Sequence, residues 1–502
     1  MTAPADRIFT NAEVHTLGER DKVHEAVAVR DGEIVRVDSA YEIEFLNGVE
    51  TEVVDCEGGV LLPGFIDAHT HMETTGRYLV HADLSADSRG AALSTLADHA
   101  DATDDEWILG YGYDETQWND DRFLFREDLD AVTRERPVVA FREDMHTASV
   151  NSVVLDLLEF PEEGVERVAG EPTGVLREEA VDVLYEATEA DVAETRELLV
   201  AARDRAWKKG VTAVHDMVRD SKAPRVYREL DRAGELGLRV RLNYWATHLD
   251  AVEELGLVTN HGSGLVEMGG IKTYTDGTFG GRTAKVSEAY EDGGTGQWVV
   301  DPDQLEAYVA RAHSAGLQFC AHAIGDEAVE AVLDAYEGRP GRHRIEHAEL
   351  LRDDLIERLS EEDVVASVQP NFLKWAREGG LYERALGRER TRETNQYGAL
   401  LDAGVPLAFG SDCMPLDPLL GVAQAVTAPD DRQRLSVTEA LQAYTSGAAY
   451  AGFAEDRLGT IEPGKRADLV LLEESPWELS GEEIAEIDVT MTVVDGAVVH
   501  KS

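Results

Sequence analysis

Basic residues are scarce in this chain. Lys and Arg number 47 against 99 Asp and Glu in 502 residues, a formal charge of −52. That shortage excludes sequence-independent nucleic-acid binding, which needs a cationic face to displace counterions. It equally excludes an anionic membrane surface as a partner. Lysine is rarest: nine of the 47, which leaves 38 arginines. Cysteine is nearly absent, and Cys56, Cys320 and Cys413 show no CxxC spacing and no disulfide framework, which fits a reducing interior. No apolar run approaches the roughly 20 residues of a membrane span. Met1 to Asn11 has no basic segment followed by an apolar one, so no secretory leader is expected. The expectation is a soluble, cytoplasmic protein. Disorder is excluded in turn, because 43% apolar residues can fill a sizeable core. Abundant carboxylates with little lysine resemble the proteome of a salt-in halophile, where concentrated ions screen self-repulsion. An ordinary acidic cytosolic protein is the alternative.

At roughly 150 residues per domain the length suggests three domain equivalents, but an α/β barrel absorbs about 250 residues as one unit. Short alternating runs occupy both ends of the chain. Ala26–Arg30 and Glu33–Val37 flank Asp31-Gly32, and Met491–Val494 and Ala497–His500 flank Asp495-Gly496, two hairpin signals. Between them, eight apolar runs alternate with helical patterns: Val60–His71, Val211–Met217, Arg239–Ala246, Gly270–Thr275, Leu317–His322, His343–His347, Val364–Gln369 and Val405–Ser411. This is the pattern of a (β/α)8 barrel. The expected fold is α/β: a distorted TIM barrel over 60–457 and a small β-sandwich built from 1–59 and 458–502. Residues from about 72 to 189 are too many for a βα connection and are read as an insertion above the barrel, with its own helices and one apolar run, Pro137–Phe141.

Most of the 15 histidines have no partner pattern. Four lie at the C-terminal tips of barrel strands, where barrel enzymes keep their active sites. His69 and His71 sit two apart on a strand, so both imidazoles face one side. Two neutral imidazoles meeting at one point suit a divalent transition metal. His322 and His347 end the fifth and sixth strands, and Asp412 follows the eighth, an apolar run that would not ordinarily end on a carboxylate. Lys272 lies inward on the fourth strand, where desolvation lowers an amine's pKa. A neutral amine can take up carbon dioxide as a carbamate. Asp67 reads as structural, and His215 on the second strand fits either a core or a site role.

The set His69-x-His71, Lys272, His322, His347 and Asp412, in that order on those strands, resembles the amidohydrolase superfamily. Within it the chain is most similar to amidohydrolase family 3, the YtcJ-like branch that includes N-substituted formamide deformylases. Val60–His71, Arg142-x-x-x-His146 through Asn151-Ser152, Gly270–Ala284, Ala321–Asp326, Ile345–Ala348, Gly410–Asp412 and Gly459–Leu472 carry the resemblance. The resemblance extends over nearly the whole chain.

The resemblance implies two metals, usually zinc. His69, His71 and Asp412 would hold one, His322 and His347 the other, with carboxylated Lys272 between them. Two such metals lower the pKa of a shared water and polarise a carbonyl. Asp412 is placed to move the proton to the leaving nitrogen. The expected activity is hydrolysis of a carbon–nitrogen bond in a small amide: N-formyl, N-acyl or cyclic. Arg142, His146, Asp276, Tyr113 and Gln117 are candidate substrate contacts, and a homodimer is the oligomeric expectation. A mononuclear deaminase is the nearest rival, but it typically carries Glu three residues after the fifth-strand His, where this chain has Gly325. A catalytically silent binding protein on the same scaffold is the other.

Overall fold

The computed structural model describes residues 3–120, 122–143 and 145–502, with the Gln117 side chain left out. Two compact units emerge, one made of Met1–His71 with Arg203–Ser502 and the other of Met72–Ala202.

In the first unit, eight parallel strands form a nearly closed barrel: β1 (Phe65–Thr70), β2 (Val211–Val218), β3 (Arg239–Trp245), β4 (Val266–Tyr274), β5 (Gln318–Ala323), β6 (Arg344–His347), β7 (Val365–Val368) and β8 (Leu407–Phe409). Each strand pairs with the next in sequence. Parallel strands covered on both faces are buried along their length, and that is why they stand out in the sequence as apolar runs. The seam between β8 and β1 is joined by side chain and backbone. The Asp67 Oδ1 atom accepts from His69 N (3.1 Å) and Ser411 N (3.0 Å), and Asp412 N donates to His69 O (2.7 Å).

Two further sheets come from the chain ends. One has the order Glu33–Asp38, Ala26–Arg30, Arg7–Thr10, Glu52–Asp55, and the other Ala497–Lys501, Val489–Val494, Leu469–Leu472, Val60–Pro63, Glu13–His15, Val23–His24. They share a core in which Phe9, Val27 and Val29 pack with Leu61, Leu469, Met491 and Val493. Both hairpins turn on Asp-Gly with positive φ at each residue, 52° and 76° at Asp31-Gly32, 50° and 74° at Asp495-Gly496, the two-residue turn that matches strand twist.

The run Val60–His71 is not one strand. It breaks at Gly64, and its halves lie in different sheets. A Cβ there would stand 2.3 Å from Thr212 Cγ2, so the chain passes β2 too closely for any side chain. The second unit also differs from expectation. Besides helices it holds a six-stranded sheet in the order Val165–Val168, Glu171–Arg177, Thr147–Val150, Val138–Arg142, Ile108–Tyr113, Ala82–Asp83. Among the described residues, no helix is long and apolar enough to cross a membrane.

Candidate metal centre

At the C-terminal ends of β1, β6 and β8, ligand atoms of His69, His347 and Asp412 all lie within 4.8 Å of one another. His71 Nε2 is 3.2 Å from Asp412 Oδ1, and His69 Nε2 is 3.5 Å from the same oxygen. The His347 ring centroid lies 5.0 Å from that of His69 and 4.4 Å from that of His322. Thus the five sequence-predicted His and Asp residues form one continuous cluster. Its open side is at His71 and Asp412, whose side chains keep 24% and 13% exposure, while His69 is fully enclosed.

The backbone bends sharply to make this possible. His347, the last residue of β6, and Ala348 after it (φ 76° and 45°), like Asp412 and Cys413 beyond β8 (φ 50° and 57°), have φ in the left-handed region. Such conformations are costly for residues with a Cβ and are concentrated at functional sites.

The polar atoms of the cluster pass a direct test of fit to a metal. His69 Nδ1 bonds Glu346 Oε2 (2.6 Å), His71 Nδ1 bonds Met217 O (3.0 Å), and His322 Nε2 bonds Gly277 O (3.1 Å). In His69 and His322 the other ring nitrogen is buried with no hydrogen-bond partner, as is Nδ1 of His347. Buried polar atoms are normally satisfied, so several orphans in one place mark a missing ligand. Burial holds the His69, His322 and His347 rings well below the ordinary histidine range, hence neutral, the form that donates to a metal.

Lys272 lies wholly buried on β4, and its Nζ also lacks a partner. Nζ lies 5.7 Å from the centroid of Trp245 and 5.2 Å from that of Tyr274. Burial lowers the pKa of this amine, against the pull of the Glu346 and Asp412 carboxylates. Asp412 shifts the other way from what burial alone would do and lies below the usual carboxylate range.

The remaining candidates make bonds of their own. Asp276, just past β4, spends its carboxylate on the backbone N–H groups of Ile324 (3.0 Å), Gly325 (2.9 Å) and Lys285 (2.8 Å). Burial pushes it up to about 7 against those bonds. It fastens the loop after β4 to the loop after β5. Tyr113, Arg142 and His146 belong to the second unit. Tyr113 is fully buried there with its hydroxyl 2.9 Å from Ser149 Oγ. Arg142 pairs with Glu115 (2.8 Å) and Asp114 (3.0 Å). His146 is 64% exposed and 3.2 Å from Glu178. Gln117 ends a 3-10 turn, and its side chain lies outside the described residues.

Sequence reasoning passed over Arg344 and Glu346. Both are fully buried on β6, next to the candidate ligands. Their signal was available: opposite charges two apart in a four-residue strand face the same side and pair with each other.

The family model described as "Amidohydrolase family" matches residues 52–500. YtcJ of Bacillus subtilis is 31% identical over 97% of this chain and 98% of its own length. N-substituted formamide deformylase of Arthrobacter pascens is 27% identical over 99% of this chain and 98% of its own. Among solved structures, an uncharacterized metal-dependent hydrolase from Pyrococcus furiosus superimposes with a TM-score of 0.82 at 30% identity, covering 94% of this chain and 99% of that one. The chain belongs to the amidohydrolase family, hydrolases that act on carbon–nitrogen bonds.

Proposed function

We propose that this protein hydrolyses a non-peptide amide with divalent metal held by His69, His71, His322, His347 and Asp412. The observation that carries the reading is the group of buried His69 and His347 with half-buried Asp412, whose facing atoms lie within 4.8 Å with histidine nitrogens left unpaired. A divalent metal there supplies Lewis acidity for the carbonyl and makes water a better nucleophile at neutral pH.

The chain's own groups do the rest. Asp412, ionised and on the open side, takes the proton from the attacking water and delivers it to the departing nitrogen as the C–N bond breaks. The products are a carboxylic acid and an amine, and Asp412 ends ionised as it began. His69 Nε2 and His71 Nε2 flank its oxygen at 3.5 and 3.2 Å. Burial shifts the Lys272 amine toward the neutral form that condenses with carbon dioxide with loss of a proton, and as a carbamate Lys272 would offer an anionic donor to a second metal. Phe372, stacked on His347 at 6.0 Å, and Tyr274, edge-on to His322 at 4.6 Å, wall the cluster with apolar surface.

The deaminase reading is disfavoured at Gly325. A Cβ at that position would fall 2.0 Å from Lys285 O, so no Glu fits there without moving the backbone.

The test is metal content and chelation. Purified protein is expected to carry close to two divalent ions per chain, and Lys272→Met close to one. Stripping the metal should abolish hydrolysis of N-formyl and N-acyl amides, and readdition should restore it. Stripping should also lower the melting temperature, since a ligand at about 100 times its Kd stabilises by about 2.7 kcal/mol. Full amide hydrolysis by metal-free protein would overturn the reading, and a ratio near one in the wild type would remove its second metal.

A further inference from the structure

We infer that Arg344 and Glu346 are positioning residues that fix the tautomer and orientation of His69 and thereby set the affinity of the metal site. This rests on the metal-dependent reading of the cluster.

The pair is unusual first for where it lies. Arg344 and Glu346 are both wholly enclosed, a charged pair in the barrel interior. Removing two charges from water costs several kcal/mol each, and an apolar pair of the same volume would often be as stable or more so. The pair therefore calls for a reason other than stability.

Geometry supplies one. The guanidinium grips the carboxylate with two N–H groups, Nε to Oε1 at 2.7 Å and Nη2 to Oε2 at 2.9 Å. Its other bonds go to Ala68 O on β1 (2.6 Å), Ser367 Oγ on β7 (2.9 Å) and His215 Nδ1 on β2 (2.8 Å). Arg344 is thus held from three strands besides its own, and Glu346 is held by Arg344. Gripped this way, Glu346 is an acceptor on both oxygens. Its Oε2 lies 2.6 Å from His69 Nδ1, so the ring proton must sit on Nδ1 and donate to it. Nε2 is left with a bare lone pair, and it is the atom that faces Asp412 at 3.5 Å without a hydrogen-bond partner.

Comparison within the cluster sharpens the role. His71 and His322 have neutral backbone carbonyls behind them, Met217 O and Gly277 O. His322 Nε2 also lies 3.6 Å from Asp276 Oδ1, beyond hydrogen-bond distance, whereas Glu346 Oε2 stands 2.6 Å from His69 Nδ1. A carboxylate behind an imidazole raises its basicity as a ligand as well as locking its orientation. The cost of burying the ion pair is then explained by function: Arg344 compensates and orients a carboxylate whose free valence serves His69.

Glu346→Gln and Glu346→Asp test this. The first keeps the shape and removes the charge. The second keeps the charge that compensates Arg344 but withdraws the oxygen from His69. Each is stripped of metal, and the Kd for Zn2+ is read by competition with a chromophoric chelator, alongside the visible spectrum of the Co2+ form and the melting temperature of the metal-free protein. The expected result is a Kd raised about 10- to 100-fold in both variants, with a shifted Co2+ spectrum. A purely structural pair would lower the metal-free melting temperature and leave Kd and spectrum unchanged, and that result overturns the inference. Should Glu346→Gln fail to fold, Glu346→Asp alone decides by the same two readouts. Wild-type protein that binds neither ion overturns the metal reading itself, a different outcome from tight binding in wild type and variants alike.

Discussion

Asp412→Asn should lower kcat/KM for amide hydrolysis by about 10²- to 10⁴-fold, the range general acid–base groups contribute. That corresponds to about 3–5 kcal/mol of transition-state stabilisation. The substitution is isosteric, and the backbone bond from residue 412 to His69 O (2.7 Å) does not involve the side chain. The barrel seam should therefore stay closed and the fold intact. What disappears is the ionised oxygen 3.2 Å from His71 Nε2 and 3.5 Å from His69 Nε2. An amide at that position cannot take up a proton near neutral pH. Because the same oxygen is a candidate ligand, the comparison belongs at saturating metal, with metal content measured on the same samples. A fall in kcat at full metal occupancy assigns the loss to proton transfer. A fall that metal excess reverses assigns it to binding. Near wild-type kcat at full occupancy would remove Asp412 from the proton path altogether.

The residues behind that prediction were legible in the sequence for a physical reason. Parallel strands buried on both faces read as apolar runs, so a His, Lys or Asp at the tip of one stands out against its background. Lys272 stood out further because the chain has only nine lysines. Less legible were features that depend on two distant segments meeting. Val60–His71 reads as one strand because nothing in it says that Gly64 must slip past Thr212. Of the insertion's sheet only the run Pro137–Phe141 was legible; Glu171–Arg177, for one, is exposed at both ends and buried only at Gly174, Val175 and Leu176, too short an apolar stretch to announce a strand. The negative surface, for its part, bears on none of this. Charged groups beside the candidate metal ligands, Asp67, Asp276 and Glu346 among them, are buried ones that a net charge cannot reveal.

The seam between β8 and β1 leads to the second large effect, at Gly410. Its φ is not in the left-handed region, so the demand for glycine there is spatial rather than conformational. A Cβ at 410 would lie 2.4 Å from His69 N, 2.7 Å from His69 Cβ and 2.9 Å from His69 Cα. These are mostly backbone atoms of β1 and cannot swing aside. Gly410→Ala must then push β8 from β1, at the place where Ser411 N reaches Asp67 (3.0 Å) and Asp412 N reaches His69 O. Overpacking of this kind costs typically about 1–3 kcal/mol. The functional loss should be larger in proportion, because the displaced segments carry His69 and Asp412 themselves. A shift near 1 Å at reacting groups costs about 100-fold in rate. We expect Gly410→Ala to melt lower, to bind Zn2+ more weakly and to lose about 100-fold in kcat/KM. Gly90, in the first turn of helix Arg89–Ala102 with nothing within 4 Å of its Cβ position, provides the contrast. Gly90→Ala should be neutral or slightly stabilising, since alanine restricts the unfolded chain and favours helix. Equal melting temperature and activity for Gly410→Ala and wild type would show that the seam has slack, and that the closeness of these two strands is not what holds His69 against Asp412.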